Sequence, residues 1–400
     1  MKAKDDRAQI WSLGFLLVIA INTITSTGFY MTMPTLPKYA LQSGMTLAEV
    51  GLLTGTFSIA CIIVRPFAGM LADRYNRKRL LGVAVILMAL ATFGYALTDK
   101  PTALYAFRIM HGAAFAVTST VQLALAADFI PENRRGEGLG YAGIAQILAM
   151  SYAPSLSLWM AGRFGYRIMF CVAAALIILA ACIIPALTYR QERVLMKVQK
   201  LRLKDLFAVE MVLFALMSSQ FSMSNAVTST YLSMLADERS VTNIGLFFTV
   251  SSIAVLISKP FSGKLMDRRG IIWILIPCFL FGSGAMFLIG GSYTLAPFLV
   301  AGVLKGAAQS SGQSALQAES INRIDAARVG VALSTCYLGN DIGQGFGSII
   351  GGTLSASVGY TSMFYVTGAL VLGGFILLAL QKVIDASEWG KKKYILREER

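Results

Sequence analysis

The chain has 400 residues, 56% of them hydrophobic and only 14% charged, with a mean hydropathy of +0.64 and a formal net charge of +14. A water-soluble protein of this length needs far more polar surface to cover its core, which excludes that class and leaves the membrane class. The five cysteines (Cys61, Cys171, Cys182, Cys278 and Cys336) are scattered singly, and His111 is the sole histidine, so neither a disulfide framework nor a metal site is expected.

Twelve hydrophobic runs follow in chain order, near 11–33, 50–72, 80–98, 102–125, 138–161, 166–188, 207–232, 243–265, 271–291, 294–317, 329–356 and 360–381. Each approaches the ~20 apolar residues that a helix needs to cross a bilayer core of about 30 Å. The predicted fold is therefore an all-α membrane protein with twelve transmembrane helices. Lys2, Lys4 and Arg7 precede the first run, but that run is too long for a signal peptide and lacks a small-residue cleavage site, so it is read as a true span.

The first run carries Asn22, Thr23, Thr25 and Ser26 beside Phe29 and Tyr30. The second contains Arg65 next to Pro66, then Gly69 and Asp73-Arg74, with Arg77 and Lys78 just beyond. In the fourth, Arg108 and His111 are three apart and share one helix face. The fifth holds Ala149, Ala153 and Pro154, and the seventh holds Ser218, Ser219, Gln220, Ser222 and Asn225. The eighth contains Lys259 next to Pro260, then Gly263 and Asp267-Arg268. Along the tenth, Lys305, Gln309 and Gln313 recur every four residues, a polar stripe that only a cavity tolerates. The eleventh carries Asp341, the one acid well inside any run, ahead of Gly343, Gly347 and Gly351.

Of the 35 Lys and Arg, 26 fall in loops on one side, five on the other, and four (Arg65, Arg108, Lys259 and Lys305) inside runs. Positive loops collect on the cytoplasmic side. Both termini and the 189–206 loop are therefore expected there, in a multi-pass protein of the cell membrane. The lipid bilayer thus accounts for the basic balance, and no nucleic-acid partner is needed.

The stretch IIVRPFAGMLADR beginning at Ile62 returns as LISKPFSGKLMDR beginning at Leu256, a shift of 194 residues. The same shift overlays His111-Gly112-Ala113-Ala114 on Lys305-Gly306-Ala307-Ala308, and GYRIMF from Gly165 on GYTSMF from Gly359. Runs one to six thus repeat as seven to twelve. The expected organisation is an N-terminal six-helix half (1–188), a cytoplasmic linker (189–206), and a C-terminal half with a short tail (207–400). The two halves would be parallel repeats related by a pseudo-twofold along the membrane normal.

Four of these stretches resemble motifs of major facilitator superfamily transporters, and the likeness runs over essentially the whole chain. GMLADRYNRKRLL from Gly69 resembles the loop 2–3 signature, with Asn76 where a glycine is common. RIMHGAAFA from Arg108 resembles the helix-4 arginine motif. MPTLPKYA from Met33 resembles the Pro-x-x-Pro of the twelve-helix drug:proton antiporter branch. AMSYAPSLSL from Ala149 resembles the helix-5 antiporter motif with alanine and serine for glycines; the matching place in helix 11 keeps Gly343, Gly347 and Gly351 and lacks the proline. The resemblance implies alternating access about a midplane cavity lined by helices 1, 4, 7 and 10, with helices 5 and 11 as hinges. It also implies that Asp128 pairs with the basic loop 74–79.

An aspartate at a helix C-terminus stands in an unfavourable field and needs a positive neighbour. For Asp73 and Asp267 that neighbour is a loop cation or, as the family implies, the N-terminus of helix 11 or helix 5. The second arrangement makes Gly69, Asp73, Arg74, Arg77, Lys78, Gly263, Asp267 and Arg268 a conformational latch; the first is an ordinary solvated loop cluster. Arg65 lies about 12 Å in from Asp73 and needs a partner or a wet cavity. It is expected near Asp341 across the interface between halves, either for proton coupling or as a static ion pair.

Arg108 stands where the family places a residue of proton transfer. Because an arginine stays charged, its effect would be electrostatic. His111 reads as a titrating switch or as a hydrogen-bonded packing residue. Lys305 reads as an anion-binding group, a barrier to cations, or a partner of Asp341. Asn22, Ser26, Tyr30, His111, Ser219, Gln220, Asn225, Gln309 and Gln313 are candidate cavity-lining residues. The alternative for the hydroxyls among them is bonding back to their own helix.

The leading expectation is proton-coupled efflux of small amphiphilic compounds by a functional monomer without cofactors. A carrier of a metabolite, sugar or organic anion is the second reading, and a non-transporting receptor or scaffold the third. The chain shows no nucleotide-binding Gly-x-x-x-x-Gly-Lys-Ser/Thr loop, no His-Glu-x-x-His and no Gly-x-Ser-x-Gly, so an enzyme is not expected.

Overall fold

The computed structural model describes residues 11–131, 135–189, 208–323 and 329–398. Helix starts coincide with capping residues. α1 (Leu13–Gln42) begins at Ser12, whose hydroxyl accepts the Phe15 amide at 3.2 Å. α2 (Leu47–Arg74) begins at a capping box, with Thr46 and Glu49 satisfying each other's amides. Asn76 caps α3 (Arg77–Leu97), and α4 (Pro101–Asp128) opens on a proline, where a missing N–H costs little. α5 (Arg135–Phe164), α6 (Tyr166–Ile183), α7 (Val212–Glu238), α8 (Leu246–Arg269), α9 (Ile272–Gly291), α10 (Leu295–Asn322), α11 (Val329–Leu372) and α12 (Gly374–Glu398) follow. No strand occurs among the described residues.

Gly165 (φ 87°, ψ 159°) separates α5 from α6, and Gly359 (φ 80°, ψ 167°) interrupts α11. Both are positive-φ positions that side chains resist, and they are the leading glycines of the two Gly-Tyr stretches.

Two helices run longer than the sequence suggests. α1 continues through Pro34 and Pro37 to Gln42 instead of ending near 33. There the Thr32 and Thr35 hydroxyls donate to the Phe29 and Met31 carbonyls at 2.8 and 2.6 Å, close to where the prolines donate nothing. The prolines leave the Tyr30 and Met33 carbonyls without the N–H four residues on, while the two hydroxyls serve neighbouring carbonyls of the same turn. α12 continues past 381, where Asp385 accepts from Gln381 one turn back at 2.9 Å and from Arg323 at 2.5 and 2.9 Å.

Among the described residues, eight helical stretches are long and apolar enough to cross a membrane, the last of them, Thr335–Ala386, spanning the Gly359 break. α7 and α10 have 27 and 28 residues and are absent from that set, because their hydroxyls and amides dilute the apolar run. Val83, Ile86, Leu90, Phe93 and Leu97 form an exposed apolar stripe along α3, as do Trp273, Ile276, Leu280 and Phe287 on α9. Water would oppose such stripes, and acyl chains would not.

The core divides unevenly. One cluster joins both halves of the chain, packing Met31, Leu36, Leu53 and Phe170 with Tyr231, Leu235, Phe247 and Phe364. A second holds only residues 15–187, among them Phe15, Val85 and Leu125, and a third only residues 208–378, among them Phe214, Phe279 and Leu316. The halves therefore share a core at one end, here the closed end, and keep separate cores at the other.

Candidate functional site

One face of α2 carries Gly51, Gly55, Ser58, Arg65 and Gly69 and runs down α11. A Cβ on Gly51 would stand 2.5 Å from the Ser348 carbonyl oxygen, so the two helices touch there through backbone. Ser58 packs against Gly345. Next along this face, the Arg65 guanidinium grips Asp341 with two bonds, Nε to Oδ2 at 2.7 Å and Nη2 to Oδ1 at 3.1 Å. Their side chains are 29% and 17% exposed. Beyond the pair, a Cβ on Gly69 would meet nothing within 4 Å. The ion pair thus marks the edge where the α2–α11 contact ends.

α5 and α8 repeat the pattern. The Ser155 hydroxyl donates to the Gly245 carbonyl at 2.5 Å, and the Thr249 hydroxyl donates to the Ser151 carbonyl at 2.8 Å. Lys259 continues that α8 face about four turns past Gly245. Its side chain is exposed and, among the described residues, has no ion-pair partner. At the closed end Lys38 meets Asp237 across the halves at 2.5 Å.

A polar network connects α7, α10 and α11. Lys305, 5% exposed, donates from Nζ to Asn225 Oδ1 and Gln309 Oε1, each at 3.0 Å. Asn340 Oδ1 accepts from Ser218 at 2.6 Å, Ser222 at 3.0 Å and Gln313 at 3.3 Å. Lys305 is ten residues into α10, hence about 15 Å deep, near the middle of a bilayer core. It does not pair with Asp341, which Arg65 engages. Gln220 turns away from this row, its Nε2 3.7 Å from a Cβ placed at the Gly373 bend, and Ser219 donates back to the Leu216 carbonyl at 2.8 Å.

In the N-terminal half the charges are walled in. His111 is fully buried, with Nδ1 3.1 Å from the Tyr95 hydroxyl and its ring against Phe29 and Phe57. Arg108 is 2% exposed and lies over the Phe57 ring at 4.5 Å. Both sit inside this half between α1, α2, α3 and α4. Asn22 accepts from Ser26 at 3.2 Å on half-buried α1, and the Tyr30 hydroxyl accepts from Gln146 at 3.1 Å.

The basic run braces its own half. Arg77 donates to both Asp128 oxygens at 2.7 and 2.8 Å, and Lys78 donates to the Pro185 and Leu187 carbonyls at 2.8 and 2.6 Å. Tyr189 donates to the same carboxylate at 2.6 Å; burial, and then Asp128, holds this phenol above its ordinary pKa. Arg268 is exposed. The side chains of Asp73, Arg74 and Asp267, and the environment of Gly263, lie outside the described residues, as does the linker from 190 to 207. Gly343, Gly347 and Gly351 bring α11 onto α7: a Cβ on Gly343 would stand 2.1 Å from the Ser219 carbonyl oxygen. Ala149, Ala153 and Pro154 are buried in α5.

Among known proteins, the profile described as Major Facilitator Superfamily matches residues 18–210 and 212–395. The chain belongs to the Major Facilitator Superfamily. As a superfamily member it is a multi-pass membrane transporter of a small-molecule cargo. It is 27% identical over 411 residues to multidrug resistance protein MdtG of Escherichia fergusonii, covering 94% of this chain and 95% of that one. It is 25% identical over 362 residues to an uncharacterised MFS-type transporter of Methanocaldococcus jannaschii, covering 87% and 93%. Among solved structures, the nucleoside transporter NupG aligns with a TM-score of 0.74 at 15% identity, over 92% of this chain and 99% of that one. A bacterial homologue of the human lysosomal transporter Spinster, inward-facing and occupied, aligns with a TM-score of 0.72 at 14% identity, over 95% and 97%. These last two likenesses show the superfamily fold alone.

Sequence reasoning missed Asn340 as the hub of the α7–α10–α11 network, although it adjoins Asp341 in LGNDIGQG. It also missed the Lys38–Asp237 bridge, because single charges near the C-terminal ends of two helices carry no signal of their partner across the halves.

Proposed function

We propose that this superfamily member exports small amphiphilic compounds across the cell membrane in exchange for protons, by alternating access between two six-helix halves. The observation that carries the reading is the Arg65–Asp341 pair at the edge of the α2–α11 contact. Arginine keeps its proton, so only Asp341 can be neutralised. A proton on Asp341 frees Arg65, loosens α2 from α11, and couples proton binding to the rocking of the halves.

Several observations support the frame. The eight apolar stretches, with two crossings read in Thr335–Ala386 and with α5, α7 and α10 added, support a count of twelve spans. The repeat shift, the matching backbone at Gly165 and Gly359, and the two segments of the superfamily match support two parallel halves. The excess of cations in loops on one side supports cytoplasmic termini, and with them a closed end that is external and an arrangement that is inward-facing. The multidrug resistance proteins among the relatives support a drug-like, amphiphilic cargo. Lys305, a cation bound among the described residues by neutral amides, favours the second reading, a carrier of a metabolite or organic anion.

The test is counterflow in reconstituted vesicles with an imposed pH gradient, screened over dyes, antibiotics and sugars. Gradient-driven accumulation of an amphiphile that Asp341→Asn uncouples is the expected result. No counterflow of any candidate would defeat the reading.

A further inference from the structure

Among the described residues Lys305 is a deeply buried cation of the C-terminal half with no acid within ion-pair reach. Arg65 has Asp341, and Arg108 lies within the N-terminal half against an aromatic face. Lys305 has neither: its two partners are amide oxygens, and among the described residues no carboxylate reaches ion-pair distance. An ammonium has three donors, so one remains unused. A charge at mid-membrane depth without a counter-ion is costly and marks a functional position.

The partners sharpen this. Asn225 and Gln309 each give their acceptor oxygen to the ammonium, which leaves each terminal NH2 as a donor. Both side chains are half-buried and sit at the boundary of the C-terminal half's polar row. The three groups therefore offer spare donors and no strong spare acceptor. That is the complement of an oxyanion, and it is wrong for a cation, which needs acceptors.

Resting on the transport reading above, we infer that Lys305, Asn225 and Gln309 form a subsite for an oxyanion group (carboxylate, phosphate or phosphonate) on the cargo. The aromatic or aliphatic remainder of the cargo lies along the apolar residues between the halves. Selection follows from charge: an anion neutralises the ammonium, a neutral analogue leaves it bare, and a cation adds repulsion.

The experiment uses the full-length protein in lipid vesicles and three probes with one ring system: pyrenebutyrate, pyrenebutanol and a pyrenebutyl-trimethylammonium. Binding is read by fluorescence, and exchange by counterflow. Pyrenebutyrate is expected to bind at least tenfold tighter than pyrenebutanol and to displace the cationic probe. Lys305→Gln is expected to erase that preference and Lys305→Arg to keep it. Asn225→Ala, which spares the ammonium, is expected to weaken the carboxylate probe severalfold and pyrenebutanol hardly at all; it also stands in if Lys305→Gln does not fold. An unchanged order of affinities in Lys305→Gln, or in Asn225→Ala where that variant stands in, overturns the inference. So does tighter binding of the cationic probe by the wild type. Loss of pH dependence in Lys305→Gln with the carboxylate preference intact also overturns it, since the lysine would then carry the proton. If the carboxylate binds in a Lys305-dependent way but no probe exchanges, the subsite stands and the transport reading falls. If probes exchange without regard to charge, the reverse holds.

Discussion

Replacing Asp341 with asparagine removes the charge that holds Arg65 at the edge of the α2–α11 contact. Breaking a fully buried pair costs about 3–5 kcal/mol, whereas an exposed pair contributes roughly 0.2–1 kcal/mol. With side chains 29% and 17% exposed and two bonds in place, this pair falls between, at about 2 kcal/mol. The bonds form only while α2 and α11 are adjacent, so the loss falls on the closed-end arrangement and shifts its equilibrium roughly thirtyfold. Ser58 is buried against Gly345 on the same face and reports that opening. In a background without the native cysteines, Ser58→Cys should react with a water-soluble thiol reagent roughly thirtyfold faster when Asp341→Asn is added. The charge exchange Arg65→Asp with Asp341→Arg should recover most of the slow rate. Equal labelling rates with and without Asp341→Asn, together with intact proton-driven transport, would refute the assignment.

Three further outcomes are expected. Lys38→Ala should loosen the closed end by about 0.5 kcal/mol, because Asp237 is 58% exposed; a two- to threefold rise in the same labelling rate is the readout, and no rise would contradict it. Gly343→Val should destabilise the C-terminal half by at least about 1–3 kcal/mol, since its Cβ would meet the Ser219 carbonyl oxygen at 2.1 Å. A lowered melting temperature in detergent checks this, and an unchanged one argues against so close an α7–α11 contact. Tyr95→Phe should cost about 1 kcal/mol by leaving His111 Nδ1 without its buried partner; a mutant as stable as the parent in a thermal melt would show that the bond contributes nothing.

Much of the fold is legible because a membrane span is a length of apolar sequence, and length survives without knowledge of neighbours. Depth inside apolar runs likewise marks Arg65 and Asp341 as charges needing company, and the structure brings them together. What direction each side chain takes is far less legible. A helix that meets lipid on one side and packed helices on the other is apolar all round, so its pattern says little about rotation. Hence Gln220 is expected on the cavity side yet turns toward Gly373, and His111 is expected beside the cargo yet lies wholly inside the N-terminal half. Lys259 occupies the repeat position of Arg65, but the opposite half carries Ile147 at the repeat position of Asp341, and Lys259 stands exposed. Asn340 escapes notice because one amide between a glycine and an acid gives no periodic signal.

The claim that the halves rock about a fixed middle is tested most directly by distances across both ends of one protein. Spin labels at Gln42 and Ser240 report the closed end, and labels at Tyr75 and Trp273 report the other; all four side chains are exposed. Between vesicles at neutral pH and vesicles given a transported amphiphile with a pH gradient, the account predicts that the first distance grows while the second shrinks. Two distributions that stay fixed under every condition, or that widen together, would contradict it.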